Sequence, residues 1–427
     1  MPPTPDPAAT GAAVPGRGVP DRARADVCPG ALRLHAADDG FLARVRLPGG
    51  ELTDPQALAL AEAAEVLGDG ALETTSRGNV QLRGLGSGCA GELAERLRAV
   101  GLLPSDTHER VRNIVASPLA GLSGQGAAGV RDWVRELDAR LCASDWAAAL
   151  SGKFLFALDD GRGDVAALDA DVTLIAGSAV GGPHGGPHGG PGGAPGGGAL
   201  LRLGREAYGR PVEPGREVAA VLDAARAFLD ALRDTGRRAW HLREVPGLLP
   251  AGTVALPDFA GEAPALGALP GALSVGLRFG RADAAQWRAL VAASAGGLRL
   301  TPWRGVVLPG APAPHLADLA GAGFRTEAGS AWERATACTG LPGCAKSLAD
   351  VRADAARALE TGPGGLPVHW SGCERRCGHP AGRWVDVLAT GQGYRVTVNG
   401  TADASAPVDV RNEQMAGAVA AARRTTK

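Results

Sequence analysis

A strand–helix–strand pattern occurs twice in this chain, and the repeat limits its architecture more than any other feature. In the first copy the alternating segment Leu42 to Leu47 (LARVRL) leads to Asp54-Pro55, which caps a helix expected to run to about Gly68. A strand is expected from about Glu73 to Arg83. In the second copy Leu273 to Phe279 alternates, Asp283 caps a helix that Gly296 stops, and LRLTPWRGVVL ends at Leu308. Asp54 pairs with Asp283, and Arg77-Gly78 with Arg304-Gly305, with a two-residue gap between the matches. Beyond these units the likeness is looser. His108 to Leu122 precedes a helix near 129–142 and a strand from Lys153 to Leu158; Cys338 to Cys344 precedes a helix near 346–360 and then Trp370 to Cys377. A helix near Arg216 to Asp234 joins the halves. The expectation is a duplicated, pseudo-two-fold α+β protein with a ligand cleft between its halves.

Composition narrows the function classes. The 427 residues carry 44 Lys+Arg against 45 Asp+Glu, so no global field attracts nucleic acid or an anionic membrane. No segment approaches the ~18 consecutive apolar residues of a membrane span. Residues 1–27 lack the basic-then-apolar order of a secretory signal and are expected to form a disordered tail. Residues 181–198 hold 11 Gly and 4 Pro and are expected to be a flexible insert; His184 and His188 within it are too few for a metal site. Seven cysteines at low density argue for a reducing compartment and a soluble, cytoplasmic protein.

Four of those cysteines are paired: Cys338 and Cys344 give C-x5-C, and Cys373 and Cys377 give C-x3-C. Two thiolate pairs can hold a four-iron cluster, with Gly340, Gly343 and Gly372 letting backbone approach it. Structural zinc and ordinary buried thiols stay open on spacing alone, although C-x5-C is wider than zinc pairs usually are. Cys28, Cys89 and Cys142 show no pairing and are expected to be free thiols. In the expected strand a period of two places Arg77, Asn79, Gln81 and Arg83 on one face. That face suits either solvent or a ligand with several carboxylates. Its counterpart, at Arg304, Val306 and Leu308, is mostly apolar, as one asymmetric site in a duplicated scaffold would require.

The motifs TSRGNVQLRG (75–84), RNIVASP (112–118), KFLF (153–156), C-x5-C and SGC-x3-CGHP resemble the sirohaem-dependent nitrite and sulfite reductase superfamily. With CPGALRLH (28–35) and DGFLARVRLPGG (39–50), they are most similar to its oxygen-dependent precorrin-3B synthase branch. The resemblance covers most of residues 28–400. It implies two ferredoxin-like half domains (28–100 and 265–325) and two nitrite/sulfite reductase-like domains (105–245, and the cluster-binding 330–427). It implies a [4Fe–4S] cluster on Cys338, Cys344, Cys373 and Cys377, with Cys377 at the thiolate that bridges to sirohaem in the reductases. Arg77, Arg112 and Lys153 match basic residues lining the reductases' distal pocket and are expected to be catalytic. The tetrapyrrole-binding set comprises Arg77, Asn79, Gln81, Arg83, Arg112, Asn113 and Lys153. Leu155 stands where the reductases carry a second basic residue, which argues against sulfite reduction. Glu374, Arg375 and Arg376 also depart from the synthase pattern. The branch implies hydroxylation of precorrin-3A at C20 with lactone formation, using O2 and an external donor (NADH through a reductase, or ferredoxin). It also raises a mononuclear non-haem iron, for which the chain shows no histidine–carboxylate triad. The alternative is a sirohaem-dependent nitrite or sulfite reductase, in which sirohaem would be bound.

Overall fold

A computed structural model describes residues 26–424, except 27, 123, 125, 128, 178–197, 360–364, 381 and 401–405. The expected Gly/Pro insert, apart from Gly198, and the expected tail, apart from Asp26, lie outside the described residues. Asp26 corrects the tail boundary, because its carboxylate accepts hydrogen bonds from Ser151 Oγ (2.9 Å) and Gly152 N (2.7 Å).

The described residues form four sheets. One orders strands His35–Ala37, Gly40–Val45, Val80–Leu85 and Ala71–Thr74, and the corresponding sheet of the second copy orders Gly267–Leu269, Ala272–Gly276, Gly305–Pro309 and Gly297–Leu300. The copies exchange their outer strands. Arg281–Asp283 of the second copy pairs with Ala71–Thr74 of the first, placing Ala282 opposite Leu72. Reciprocally, Glu51–Thr53 pairs with Gly297–Leu300, placing Leu52 opposite Leu298. Helices Asp54–Leu67 and Ala284–Ala293 follow the exchanged strands, and one core containing Leu60, Leu72, Leu82, Trp287, Leu290 and Leu308 runs through both copies. Burial of such side chains, at roughly 1.5–3 kcal/mol each, fastens the halves together.

Hydrogen bonding corrects the repeat register by one residue at two points. Thr53, not Asp54, caps the first helix: it forms a capping box with Gln56, as Asp283 does with Gln286. Likewise the long strand expected from Glu73 to Arg83 is a hairpin broken at 75–79. In that turn Thr75 Oγ1 accepts from Asn79 N (3.2 Å), and in its counterpart Thr301 Oγ1 accepts from Gly305 N (3.1 Å). Arg77 therefore matches Trp303 rather than Arg304, and Arg77, Asn79, Gln81 and Arg83 do not share one strand face.

The remaining two sheets repeat a second pattern. Strands Ile114–Ala116, Phe156–Asp159 and Val172–Ile175 run parallel, and Ala199–Leu203 joins antiparallel. Strands Ala335–Ala337, Val368–Ser371, Trp384–Thr390 and Gly393–Asn399 follow the same senses. Helices Val130–Cys142 and Val351–Leu359 follow the first strand of each set, and Glu217–Thr235 is the connecting helix expected near Arg216. No helix among the described residues is long and apolar enough to cross a membrane.

Candidate functional site

Two cavities hold most of the candidate site residues. The first, of about 460 Å³, is walled by Arg44, Arg46, Arg77 and Lys153, with Cys28 among its lining residues. Strand Gly40–Val45 and its continuation supply Arg44 and Arg46; Arg77 stands on the broken hairpin turn. Arg46 is 3% exposed, and its Nη2 donates to Gly152 O (2.8 Å) and to Cys28 Sγ (3.2 Å). Burial lowers its pKa to about 10, against the opposing pull of Cys28, so it stays charged at neutral pH. Burial also lowers Arg77, with Cys28 and Asp171 acting in the other direction. Lys153 Nζ stands 3.5 Å from the ring centroid of Trp240, a cation–π contact that fixes the ammonium. Such a wall recognises carboxylates.

The second cavity, of about 440 Å³, is lined by all four paired cysteines. It shares His35 and Leu42 with the first, so these two residues stand between or along both. Cys338 follows strand Ala335–Ala337, while Cys373 and Cys377 follow strand Val368–Ser371. Gly372 N donates to Cys338 Sγ (3.2 Å). Burial pushes the Cys338 thiol up, opposed by the Gly372 and Gly340 amides. A Cβ at Gly372 would fall 1.8 Å from Ser347 Oγ, so only glycine lets this backbone come so close. Among the described residues the one group of three potential ligands within 4.8 Å of one another is Asp159, Asp160 and Asp164. No three of the four thiols lie within 4.8 Å of one another. Four convergent thiols with an amide aimed at one sulfur fit a polynuclear iron–sulfur cluster.

The geometry stands beside clear relationships to known proteins. The model of the nitrite/sulfite reductase ferredoxin-like half domain matches residues 34–100. A precorrin-3B synthase from a Sinorhizobium species is 29% identical over 408 residues, covering 89% of this chain and 84% of that protein. A ferredoxin–nitrite reductase of Synechococcus elongatus is 27% identical over 389 residues, covering 80% and 74%. The solved structure of the Mycobacterium tuberculosis NirA protein shares the fold, with a TM-score of 0.64 at 19% identity over 88% of this chain and 79% of its own. The chain is thus similar to nitrite/sulfite reductase superfamily proteins along most of its length.

The superfamily motifs are present, but not every motif residue faces the cavities. Arg77 and Lys153 do. Arg112 does not: 4% exposed, it grips Asp138 through Nε (2.6 Å) and Nη2 (2.7 Å) and donates to Leu102 O (3.0 Å). Asn79 and Asn113 are buried and bond each other (3.1 Å), and Asn113 Oδ1 accepts from Arg46 (3.3 Å). They orient the wall rather than meet a ligand. Gln81 bridges Arg44 (3.1 Å) and Glu73 (3.1 Å). Arg83 pairs with Asp39 (2.8 Å) beside the cysteine cavity. Leu155 does not line the cationic cavity; it is buried with Val115, Ala157 and Val165 against Trp303. Arg376 is paired with Asp386 (2.6 Å) and Glu374, which offsets its charge near the thiols.

Sequence reasoning missed Arg44 and Arg46, although the alternation in ARVRL places both on one strand face. The carboxylates of the Asp159–Asp160–Asp164 group each hold partners within the chain. Asp159 accepts from the amides of Gly161, Gly163 and Ala166, Asp160 pairs with Arg162, and Asp164 bonds Ser117. These carboxylates hold a loop together.

Proposed function

We propose that the protein is an oxidoreductase of the precorrin-3B synthase type. Its substrate is precorrin-3A, which it hydroxylates at C20 with lactone formation from a neighbouring acetate. One atom of O2 enters the product and the other leaves as water, with two electrons from an external donor of the ferredoxin type or from NADH through a reductase. Cys338, Cys344, Cys373 and Cys377 hold a [4Fe–4S] cluster, which supplies one-electron relay when bound. Arg44, Arg46, Arg77 and Lys153 bind and orient the macrocycle through its acetates and propionates, and Lys153 is held in place by Trp240. The observation that carries this reading is that the cationic cavity and the four-thiol cavity share His35 and Leu42 in their walls. The similarity to a precorrin-3B synthase along most of both chains supports it.

The likeness to a ferredoxin–nitrite reductase favours a second reading, in which sirohaem occupies the same space and nitrite is reduced. One experiment separates the two. Anaerobically purified protein is assayed for iron, acid-labile sulfide and tetrapyrrole, then given precorrin-3A and reductant with and without O2. Iron and sulfide without resident tetrapyrrole, with O2-dependent turnover, is the expected result. Stoichiometric sirohaem with nitrite reduction overturns the synthase reading.

A further inference from the structure

Two guanidinium–carboxylate pairs join the first half domain to the backbone of the cysteine loops, one with its guanidinium on the half domain and one with its guanidinium on helix Val351–Leu359. Arg83 is held by Asp39 through Nε (2.9 Å) and Nη2 (2.8 Å), and the same Nη2 donates to Gly343 O (3.1 Å), next to Cys344. On the other side of Cys344, Ala345 N donates to Asp38 Oδ2 (2.7 Å). The second pair is Arg352 with Glu73, and Arg352 Nε donates to Cys338 O (3.2 Å). The arrangements are alike: a carboxylate of the half domain neutralises a guanidinium that grips a carbonyl at or beside a cysteine.

We propose that Arg83–Asp39 and Arg352–Glu73 are neutral struts that position Cys344 and Cys338 while adding no net charge of their own beside the group those thiols hold. Arg83 is thereby a positioning residue rather than a tetrapyrrole ligand. The inference rests on the cluster reading above. Its logic is electrostatic: an isolated cation near an anionic cluster favours the reduced form, and an isolated anion disfavours it. A matched pair does neither, and removing one partner uncovers the charge of the other.

Redox titration of the cluster in the intact protein tests this. Asp39→Asn and Glu73→Gln are expected to raise the midpoint potential. Arg83→Met and Arg352→Met are expected to lower it, and the double variant Arg83→Met/Asp39→Asn is expected to return close to the parent. Shifts of one sign for both partners of a pair, or no shift, would overturn the proposal, since loosening alone does not distinguish the partners. A second measurement needs no cluster. In the metal-free full chain, Arg83→Met, or Asp38→Ala at an exposed carboxylate, is expected to raise alkylation of Cys344 about tenfold relative to Cys373, the order of one lost charge-assisted hydrogen bond. Equal acceleration at both cysteines, or none at either, would sink the strut. A parent lacking iron and sulfide would refute the cluster reading instead, and the labelling would still decide the strut.

Discussion

Arg77 in the first half domain and Trp303 in the second occupy the same place in a repeated turn. Each follows a threonine whose hydroxyl closes the turn, Thr75 on Asn79 N and Thr301 on Gly305 N. One copy puts a guanidinium into the cationic cavity, and the other packs an indole against Leu155. At this position of the turn only the first copy carries a cation. Arg77→Ala is expected to weaken binding of a carboxylated tetrapyrrole by roughly 10–100-fold, the range of a charge-assisted hydrogen bond. The cluster spectrum should stay as in the parent, because Arg77 does not line the thiol cavity. Isothermal titration with absorbance recorded on the same sample checks both, and unchanged affinity would remove Arg77 from the site.

Serine substitution separates ligands from bystanders. Cys338→Ser, Cys344→Ser, Cys373→Ser and Cys377→Ser should each lose iron and sulfide, because all four thiols line the one cavity. Cys89→Ser and Cys142→Ser should retain the parent content, since neither reaches that cavity. Cys28→Ser should also retain it, because Cys28 lies among the cationic wall residues. Iron and sulfide assays on the purified variants give the answer, and retention in Cys377→Ser would break the proposed ligand set.

What the sequence revealed follows from the range of the interactions involved. The duplication and the four-cysteine grouping are legible because helix caps, apolar periodicity and paired thiols are local. The cap slipped by one residue because Thr53 and Asp54 are adjacent capping types, and only the Gln56 hydrogen bonds choose between them. The reciprocal strand exchange was not legible: Glu51–Thr53 and Arg281–Asp283 are three residues each, and their partners come from the other copy. Nor could the motif around Arg112 show that its guanidinium turns away, since Asp138 arrives on helix Val130–Cys142. The ARVRL strand then brings Arg46 to the cavity that Arg112 was expected to line.

The exchange predicts an asymmetry between two equivalent glycines. Gly50 has φ +72, and a Cβ there would lie 2.1 Å from the main-chain oxygen of Leu300 in the other half domain. Gly280 has φ +73, but its nearest obstacle, at 2.7 Å, is the Arg304 side chain, which can move. Both alanine variants bear the left-handed backbone cost of roughly 1–2 kcal/mol. Gly50→Ala must also push its own backbone away from that of Leu300, and is expected to lose several kcal/mol in total. Denaturant unfolding of both variants measures this, and equal losses would show that the junction yields at Gly50.

The pH dependence of stability should carry the mark of Asp164. Its side chain is 12% exposed, bonds Ser117 Oγ (2.5 Å) and lies among Asp159 and Asp160. Burial, with the charge of Asp159, raises its pKa from 3.8 to about 7. Between these values the folded chain holds a proton that the unfolded chain has released. Stability from this group is therefore fully present below about pH 4 and is lost as pH rises through about 7. Asp164→Asn keeps the shape of the neutral acid and removes the titration. Relative to the parent, the variant should gain stability from pH 4 to pH 8, by urea unfolding at a series of pH values. A constant difference between variant and parent across that range would show that Asp164 titrates as an ordinary carboxylate.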